Sequence, residues 1–251
     1  MAPAAQPDGG EIMTVTQVAQ YLQLAEKTVV RMAQRGEIPA AKVASQWRFI
    51  RSLVREWLVA QMQTLPAGRL DEVAGEGEAL LAMPELIRPE LMSLDIKPGP
   101  KEAVLRQLVA PLVQTGFAAD PSRLLTSLLE RERMMTTAVG HGVALPHPRK
   151  PIAGMFPEPA IALGICQTGT DFDAINDQLI SVFFLICATR DEIHLQLMAK
   201  LSWLARRDLP AKLRAVREVN EACELIAQAA SEIDDARAGS ASNAKPGKGA
   251  K

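Results

Sequence analysis

The chain contains little cysteine and little histidine, with three residues of each among 251. Cys166, Cys187 and Cys223 are widely separated and form no Cys-x-x-Cys pair. This spacing excludes a disulfide framework and a structural zinc site, and it fits a reducing cytoplasm. The three histidines could bind zinc by residue type, but they show no ligand-spacing motif, so we predict neither a metal site nor a cofactor.

Long apolar runs and an excess of one charge are also absent. No run approaches the roughly 18 residues that a membrane helix needs, and the N-terminal segment does not have the pattern of a signal peptide. We therefore expect a cytoplasmic protein without membrane insertion. The charges of the 28 basic and 29 acidic residues nearly cancel. This balance excludes attraction to nucleic acid or membrane through the net charge of the whole chain, but charge can still be distributed unevenly within it.

The first segment after residue 10 has the pattern of a helix-turn-helix. Thr14 and Gln17 form a capping box, and apolar residues at helical spacing follow. A break at residues 23–25 leads to a second helix over Glu26–Arg35, and Gly36 is a good helix stop. Two short helices joined by a tight turn are the helix-turn-helix outline.

Local charge favours DNA contact by this segment. Seven basic and four acidic residues between Glu11 and Met62 give a net charge of +3. Lys27, Arg31 and Arg35 are spaced four apart in the second predicted helix and share one face, which would meet phosphates or base edges in a major groove. A solvated basic face on a small protein-binding module is the alternative.

Alternating apolar and polar residues over Lys42–Ile50 then predict a small hairpin or wing, followed by a third helix. The layout resembles the excisionase-type, MerR-like winged helix-turn-helix family. The matching residues are Thr14-Val15, Val18-Ala19, Leu22, Thr28-Val29, Gly36-Glu37-Ile38-Pro39 and Trp47-Arg48-Phe49. Gln23 and Ala25 replace the family's usual glycine and serine cap, and losing the cap costs about 1 kcal/mol of local helix stability. The resemblance implies DNA binding through Lys27, Thr28, Arg31, Arg35 and Arg48.

Composition divides the chain into two domains and two unstructured segments. We place the winged helix-turn-helix domain at residues 11–62, an acidic linker at 63–86, a larger domain at 87–233 and a disordered tail at 234–251. In the larger domain, helical patterns precede apolar strands and further helices follow. Its longest apolar strand, Ile180–Ala188, is expected at the centre of the sheet. Pro111 is expected to kink or end the first helix.

The strongest functional pattern is the stretch VGHGVALPHPR over residues 139–149. Its apolar run, Val143 to Leu145, predicts a short buried strand that Pro146 ends. His147 then lies at a strand exit, where reactive groups of α/β folds commonly lie. His147 alone would be either a nucleophile or a structural histidine.

This stretch resembles the active-site signature of enzyme IIA domains of the sugar phosphotransferase system, in the fructose/mannitol and nitrogen-regulatory branch. Further matches are the Arg131-Glu132 lead-in with Thr136-Thr137, Asp171-Phe172-Asp173-Ala174 and Glu192-Ile193-His194-Leu195. The resemblance covers roughly residues 86–233. It departs at Pro148, where the family usually has glycine, and at His141, where it commonly has a small polar residue. We expect His141 to be a loop residue near the site, and a direct role in the chemistry is the alternative.

The resemblance implies a role for three residues. His147 would accept the phosphoryl group, His194 would be its histidine partner, and Arg131 would bind phosphoryl oxygens. The donor would be the system's histidine-containing phosphocarrier protein. The chain would then be a phosphohistidine carrier rather than a multiple-turnover enzyme acting on a small substrate.

We therefore expect an α/β protein with a small winged helix-turn-helix domain and a larger mixed β-sheet flanked by helices on both sides. The first functional hypothesis is a phosphorylation-responsive transcriptional regulator, in which a histidine phosphate modulates a DNA-binding head. The second is a phosphorelay protein whose N-terminal module binds protein and not DNA, and the third is a non-phosphorylated scaffold. A homodimer is a further alternative, because many helix-turn-helix proteins bind DNA as dimers. The N-terminal domain itself shows no dimerisation heptads.

Overall fold

The computed structural model describes residues 11–61, 83–174 and 177–242, without the side chains of 233–242. The chain divides into two compact units, Met1–Gln61 and Met62–Lys251. Most of the predicted linker and the tail beyond residue 242 lie outside the described residues. Among the helices that are described, none is both long and apolar enough to cross a membrane.

The smaller unit has the predicted winged helix-turn-helix order. Its elements are β1 (Ile12–Met13), α1 (Val15–Leu22), α2 (Glu26–Gln34), β2 (Ala41–Val43), β3 (Gln46–Ile50) and α3 (Arg51–Gln61). Strand β3 pairs antiparallel with both β1 and β2, so the order is β1-β3-β2. A small core that includes Val18, Val29, Phe49 and Val54 packs the helices on this sheet.

The predicted capping box is confirmed at the start of α1. Thr14 N–H donates to Gln17 Oε1 at 2.8 Å, and Gln17 N–H donates to Thr14 Oγ1 at 3.3 Å. The turn carries the predicted departures: Gln23 adopts the left-handed region with φ 55°, and Ala25 caps α2 without a side-chain hydrogen bond. The turn between α1 and α2 thus lacks both a glycine at the left-handed C-cap position and a side-chain hydrogen bond at the N-cap.

The larger unit is built from five strands and six helices within the described residues. The strands are β4 (Ile87–Ser93), β5 (Ala138–Gly140), β6 (Val143–Ala144), β7 (Ala160–Thr170) and β8 (Ile180–Cys187). The helices are α4 (Met83–Leu86), α5 (Lys101–Gln114), α6 (Pro121–Met134), α7 (Asp191–Ala205), α8 (Leu209–Ala215) and α9 (Val219–Ser242).

The sheet of the larger unit is mixed, as predicted, with the order β4-β7-β8-β6-β5. Strands β4 and β7 are parallel, as are β6 and β8, whereas β7 pairs antiparallel with β8 and β5 with β6. Strand β8, which is apolar except for Ser181, occupies the centre, which confirms the prediction from its composition. All eight of its residues are buried.

Helices cover both faces of this sheet. Ala162 of β7 and Phe183 of β8 belong to the core that contains residues of α5 and α6. Because side chains alternate along a strand, their neighbours Leu163 and Phe184 point to the opposite face. Both are also buried, and helices α7 and α8 contact β8.

A glycine in β7 allows the first helical layer to approach closely. A Cβ at Gly164 would lie 2.7 Å from Leu108 Cδ1 of α5, and it would also collide with the side chain of Ile96. Leu108 and Ile96 are themselves buried. The sheet therefore needs glycine at this position for packing, not for an unusual backbone angle.

Four features differ from the sequence prediction. Strand β4 was not predicted because Pro89 interrupts its pattern, and an edge strand tolerates such a proline. Helix α4 occupies residues placed in the linker, since Met83 and Leu86 are buried. Helix α5 continues through a buried Pro111 to Gln114, so the early end is wrong, whereas the kink that was its alternative stays a prediction. Helix α9 extends into the predicted tail, up to Ser242, where alanines favour helix.

Candidate functional site

His147 and His194 both lie at the end of the mixed sheet where strands β6 and β8 finish. The chain after β6 continues alongside β8, since Ile186 N–H donates to Pro146 O at 2.9 Å, and His147 follows immediately. His194 lies in the first turn of α7, the helix that follows β8. Because β6 and β8 are parallel, both histidines come after the carboxyl ends of neighbouring strands.

The two imidazole rings face each other in a buried setting. Their centroids are 4.7 Å apart and their planes are inclined by 54°. His147 is 1% exposed and His194 is 5% exposed. The topology thus brings together two residues that are 47 positions apart in the sequence.

The hydrogen bonds of His147 define its tautomer. Nδ1 lies 2.7 Å from the carbonyl oxygen of Leu145, and a carbonyl only accepts, so Nδ1 carries the hydrogen. Nε2 accepts from Nε–H of Arg131 at 3.2 Å. We assign the neutral Nδ1–H form from this network, and the lone pair is then on Nε2. This is the form of imidazole that can attack an electrophile.

Arg131 is held in the last turn of α6 with its guanidinium beside the imidazole. Its side chain is buried, and Nη1 donates to the carbonyl oxygen of Met135 at 2.8 Å. A buried guanidinium next to a nucleophilic nitrogen is suited to anions with oxygen ligands, which it binds through two parallel N–H groups. The site can therefore attract and orient a phosphoryl group.

Glu132 fixes the segment that joins α6 to β5. Its carboxylate accepts from the Thr137 backbone N–H at 3.1 Å and from the Thr137 hydroxyl at 2.7 Å. The Thr137 carbonyl in turn accepts from Leu145 N–H at 3.0 Å. This connects Glu132 to the residue whose carbonyl orients the His147 ring.

The supporting residues Glu132 and Thr137 and the Leu145 carbonyl were not predicted as part of the site. Glu132 and Thr137 occur within the lead-in motif, which was the signal that was available. The role of a backbone carbonyl cannot be inferred from residue type, because every residue has one.

His141 is a turn residue, as expected, and it is exposed. It begins the two-residue connection between β5 and β6, where His141 and Gly142 have φ of 55° and 73°. Positive φ at both central residues is the signature of a type I′ hairpin turn. The exposed position of His141 is explained by the hairpin.

Cys187 is not a second nucleophile. Burial at the end of β8 raises the pKa of its thiol well above the ordinary value, and a backbone hydrogen bond from Ala162 only partly offsets this. The thiol is therefore protonated at neutral pH, and a protonated thiol is a poor nucleophile.

The predicted DNA-binding residues lie on α2 and β3. Lys27 and Arg31 are exposed on one face of α2. Arg35, predicted within this helix, is its C-cap; it is also exposed, and it forms an ion pair with Glu37 at 3.6 Å. Thr28 and Arg48 are half-buried. The Arg48 guanidinium is engaged within its own strand, through Nη1 to Trp47 O at 3.0 Å.

Comparison with known proteins supports a two-part organisation. Residues 85–229 match the family model of the phosphoenolpyruvate-dependent sugar phosphotransferase system, EIIA 2. Residues 12–62 match a helix-turn-helix domain. The larger match spans more than half of the chain.

Relatives and a solved structure agree with these matches. The chain is 32% identical over 142 residues to a fructose-specific EIIA component of the phosphotransferase system from Haloferax volcanii, covering 55% of this chain and 90% of that protein. It is 30% identical over 151 residues to a nitrogen regulatory protein from Bradyrhizobium diazoefficiens, covering 57% and 93%.

A crystal structure of a phosphotransferase system IIA domain from Streptococcus pyogenes has a similar fold. The TM-score is 0.51 at 17% identity, covering 60% of this chain and 98% of that one. The strand order, the histidine pair and the family match lead to one conclusion. The chain belongs to the EIIA 2 family of the phosphoenolpyruvate-dependent sugar phosphotransferase system and carries an N-terminal helix-turn-helix domain.

Proposed function

We propose that this protein is a cytoplasmic phosphohistidine regulator that accepts a phosphoryl group on His147 and uses its helix-turn-helix head to bind DNA. The observation that carries the proposal is the bonding of the His147 ring. Nδ1 is anchored on a carbonyl, and Nε2 faces the guanidinium of Arg131. The donor we propose is the histidine-containing phosphocarrier protein of the system.

The transfer is a single in-line displacement. Nε2 of His147 attacks the phosphorus of the donor's phosphohistidine, and a new N–P bond forms as the donor's N–P bond breaks. The donor's imidazole leaves with the electron pair. His147 keeps its hydrogen on Nδ1, so the Leu145 carbonyl holds the ring in the same orientation before and after transfer.

Arg131 changes partner during this step. Its Nε–H lies on the Nε2 lone pair before the reaction, and this hydrogen bond must move to a phosphoryl oxygen when the N–P bond forms. The guanidinium then offsets part of the roughly two negative charges of the phosphoryl group. His194, at 4.7 Å between ring centroids and in the first turn of a helix, would donate to another oxygen.

The head would present α2 to the major groove. Lys27 and Arg31 lie on its exposed face, and Arg35 follows at its C-cap. Thr28 lies in its first turn, and Arg48 lies in strand β3 of the wing. In an excisionase-type arrangement, basic side chains at these positions contact phosphates and base edges. We assign the head to residues 11–62, the linker to 63–86 and the phosphoacceptor domain to 87–233.

A second function, a scaffold without phosphoryl transfer, is favoured by Pro148. A proline removes the backbone N–H that any other residue would offer beside the imidazole. Under our proposal His147 accepts a phosphoryl group without this N–H; under the scaffold function it does not.

Intact mass decides between these functions. The full chain is incubated with phosphoenolpyruvate, the general phosphotransfer enzyme and the phosphocarrier protein, beside His147→Ala and His141→Ala variants. We expect the mass of one phosphoryl group in the wild type and in His141→Ala, and none in His147→Ala. No mass gain in the wild type would support the scaffold function.

The regulatory part is tested separately by DNA selection. Random-sequence DNA is enriched on the immobilised full chain, and the affinity for the selected site is compared between the unmodified and phosphorylated forms. We expect a selected site and a change in its affinity on phosphorylation. Absence of any enriched sequence would leave the head as a protein-binding module.

A further inference from the structure

Lys101 joins three elements of the larger unit through a single ammonium group. It is the first residue of α5, and its Nζ lies 2.9 Å from Glu132 Oε1 in α6. The same Nζ lies 2.9 Å from Asp173 Oδ2, in the connection that follows β7. The Lys101 side chain is mostly buried, with 23% exposed, and the Glu132 side chain is only 3% exposed.

The position of Lys101 opposes the usual charge preference of helices. The N-terminal turn of a helix carries partial positive charge, so a lysine there is disfavoured unless anions compensate. Pro100 caps α5 without a side-chain hydrogen bond. The cation is thus stabilised by the two carboxylates and not by its own helix. Burial lowers the pKa of Lys101, but hydrogen bonds to Asp173 and Glu132 outweigh this and raise the pKa above the ordinary value.

Two routes lead from Lys101 to the nitrogens of the His147 ring. In the first, Glu132 adjoins Arg131, whose Nε donates to Nε2. In the second, Glu132 accepts from Thr137, whose carbonyl accepts from Leu145 N–H. The Leu145 carbonyl in turn accepts a hydrogen bond from Nδ1–H of His147.

The connection after β7 is tied to the same place. Phe172 is fully buried, its ring lies 5.1 Å from Lys101 Nζ, and its carbonyl accepts from the Thr136 hydroxyl at 2.9 Å. Asp173 has a φ of 51°, and Asp171 accepts from its N–H. Lys101 therefore holds this connection against the turn that carries Arg131.

We propose that Lys101 is a positioning residue of the phosphoacceptor site, which sets the orientation of Arg131 and of the His147 ring through Glu132. The inference rests on the proposed phosphoryl transfer for its kinetic consequence. Its structural consequence, the orientation of the ring, does not depend on whether transfer occurs.

The test compares Lys101→Met, Lys101→Arg and the matched control Arg106→Met in the full chain. Arg106 is on the same helix, but it is exposed and pairs only with exposed Glu102 among the contacts described. We expect Lys101→Met to slow phosphoryl incorporation by about tenfold or more, because small misplacements of positioned groups have effects of this size. Lys101→Arg should restore most of the rate, and Arg106→Met should match the wild type.

A spectroscopic measurement separates this inference from the proposed function. In protein labelled with 15N-histidine, the Nδ1–H resonance of His147 reports the bond to Leu145. We expect this resonance to shift and to exchange faster with water in Lys101→Met, but not in Arg106→Met. If the wild type accepts no phosphoryl group, the proposed function fails, and this resonance still tests the role of Lys101.

Asp173→Asn keeps the inference testable if Lys101→Met does not fold. The Asp173 side chain is 77% exposed, so its loss should leave the fold intact and slow incorporation by about two- to fivefold, less than the loss of Lys101. Wild-type rates together with an unchanged His147 resonance in Lys101→Met, or in Asp173→Asn if only that variant folds, would overturn the inference.

Discussion

Arg131 and His147 are joined by a hydrogen bond from Nε to Nε2 at 3.2 Å, and both side chains are almost completely buried. The bond occupies the lone pair that would form the N–P bond. The guanidinium therefore lies beside the attacking nitrogen, where the negative charge of a phosphoryl group would develop.

Replacing Arg131 by lysine should slow phosphoryl incorporation by about a hundredfold. A lysine keeps the charge but lacks the planar fork that donates to Nε2 and to the Met135 carbonyl together. Arg133→Lys is the control, because Arg133 is exposed in the same helical turn. Rapid-quench assays of radiolabelled phosphoryl transfer measure the rates. Equal rates for the two variants would show that charge alone suffices.

Gly164→Ala should destabilise the larger unit by about 1–3 kcal/mol, since the added methyl group collides with buried Ile96 and Leu108. Gly99→Ala is the matched control, because its Cβ would make an ordinary 3.8 Å contact with Ala103. Urea unfolding followed by circular dichroism gives both free energies of unfolding. Equal stability of the two variants would contradict the close packing of α5 on β7.

Ala25→Ser should stabilise the second helix of the head. A serine hydroxyl at this N-cap can accept from a backbone N–H of the first turn, which alanine cannot do. The expected gain of about 0.5–2 kcal/mol corresponds to amide exchange that is about two- to thirtyfold slower at Thr28 and Val29. Ala41→Ser, in an exposed strand, should leave this exchange unchanged. Exchange as fast as in the wild type would mean that α2 does not open locally at its N-terminus.

The double variant Lys27→Ala/Arg31→Ala should weaken binding to the selected DNA and lower the dependence of affinity on salt. Each lost phosphate contact reduces the slope of log affinity against log salt by about 1, so a reduction of about 2 is expected. Arg106→Ala, in the larger unit, provides a charge control. Fluorescence anisotropy at several salt concentrations gives the slopes. An unaltered slope would show that Lys27 and Arg31 do not contact DNA phosphates.

The Lys101 ion pairs should make the stability of the protein sensitive to alkaline pH. The pKa of Lys101 is raised in the folded protein above the ordinary 10.5, so its contribution is fully present below pH 10.5 and is lost as pH rises through the folded value. The wild type should therefore exceed Lys101→Met in unfolding free energy by a constant amount up to pH 10.5, and this difference should decrease above pH 10.5. A difference that grew with pH would contradict the sign of the shift.

Local signals in the sequence predicted much of the fold. The capping box of Thr14 and Gln17 depends on neighbouring residues alone, and it is confirmed. The apolar run of β8 was sufficient to predict its central place in the sheet. The β5–β6 hairpin was missed because His141 occupies a turn position where asparagine or glycine is the usual signal.

Long-range contacts account for what the sequence did not predict. The family resemblance selected Arg131, His147 and His194, which the structure brings together. Glu132 and Lys101 were not selected as site residues, because their ion pair joins two helices 31 positions apart and leaves no periodic pattern. The Leu145 carbonyl that orients His147 depends on backbone geometry, which side-chain identity does not encode.

A nitrogen-15 spectrum of the histidine side chains, recorded before and after incubation with the phosphotransfer enzymes, tests His147 as the phosphoacceptor most directly. We expect the Nε2 resonance of His147 to acquire coupling to phosphorus while its Nδ1 keeps a hydrogen, and we expect His141 and His194 to remain unmodified. A phosphoryl group on Nδ1 or on another histidine, or none on the wild-type protein, would show that the proposed role of His147 is wrong.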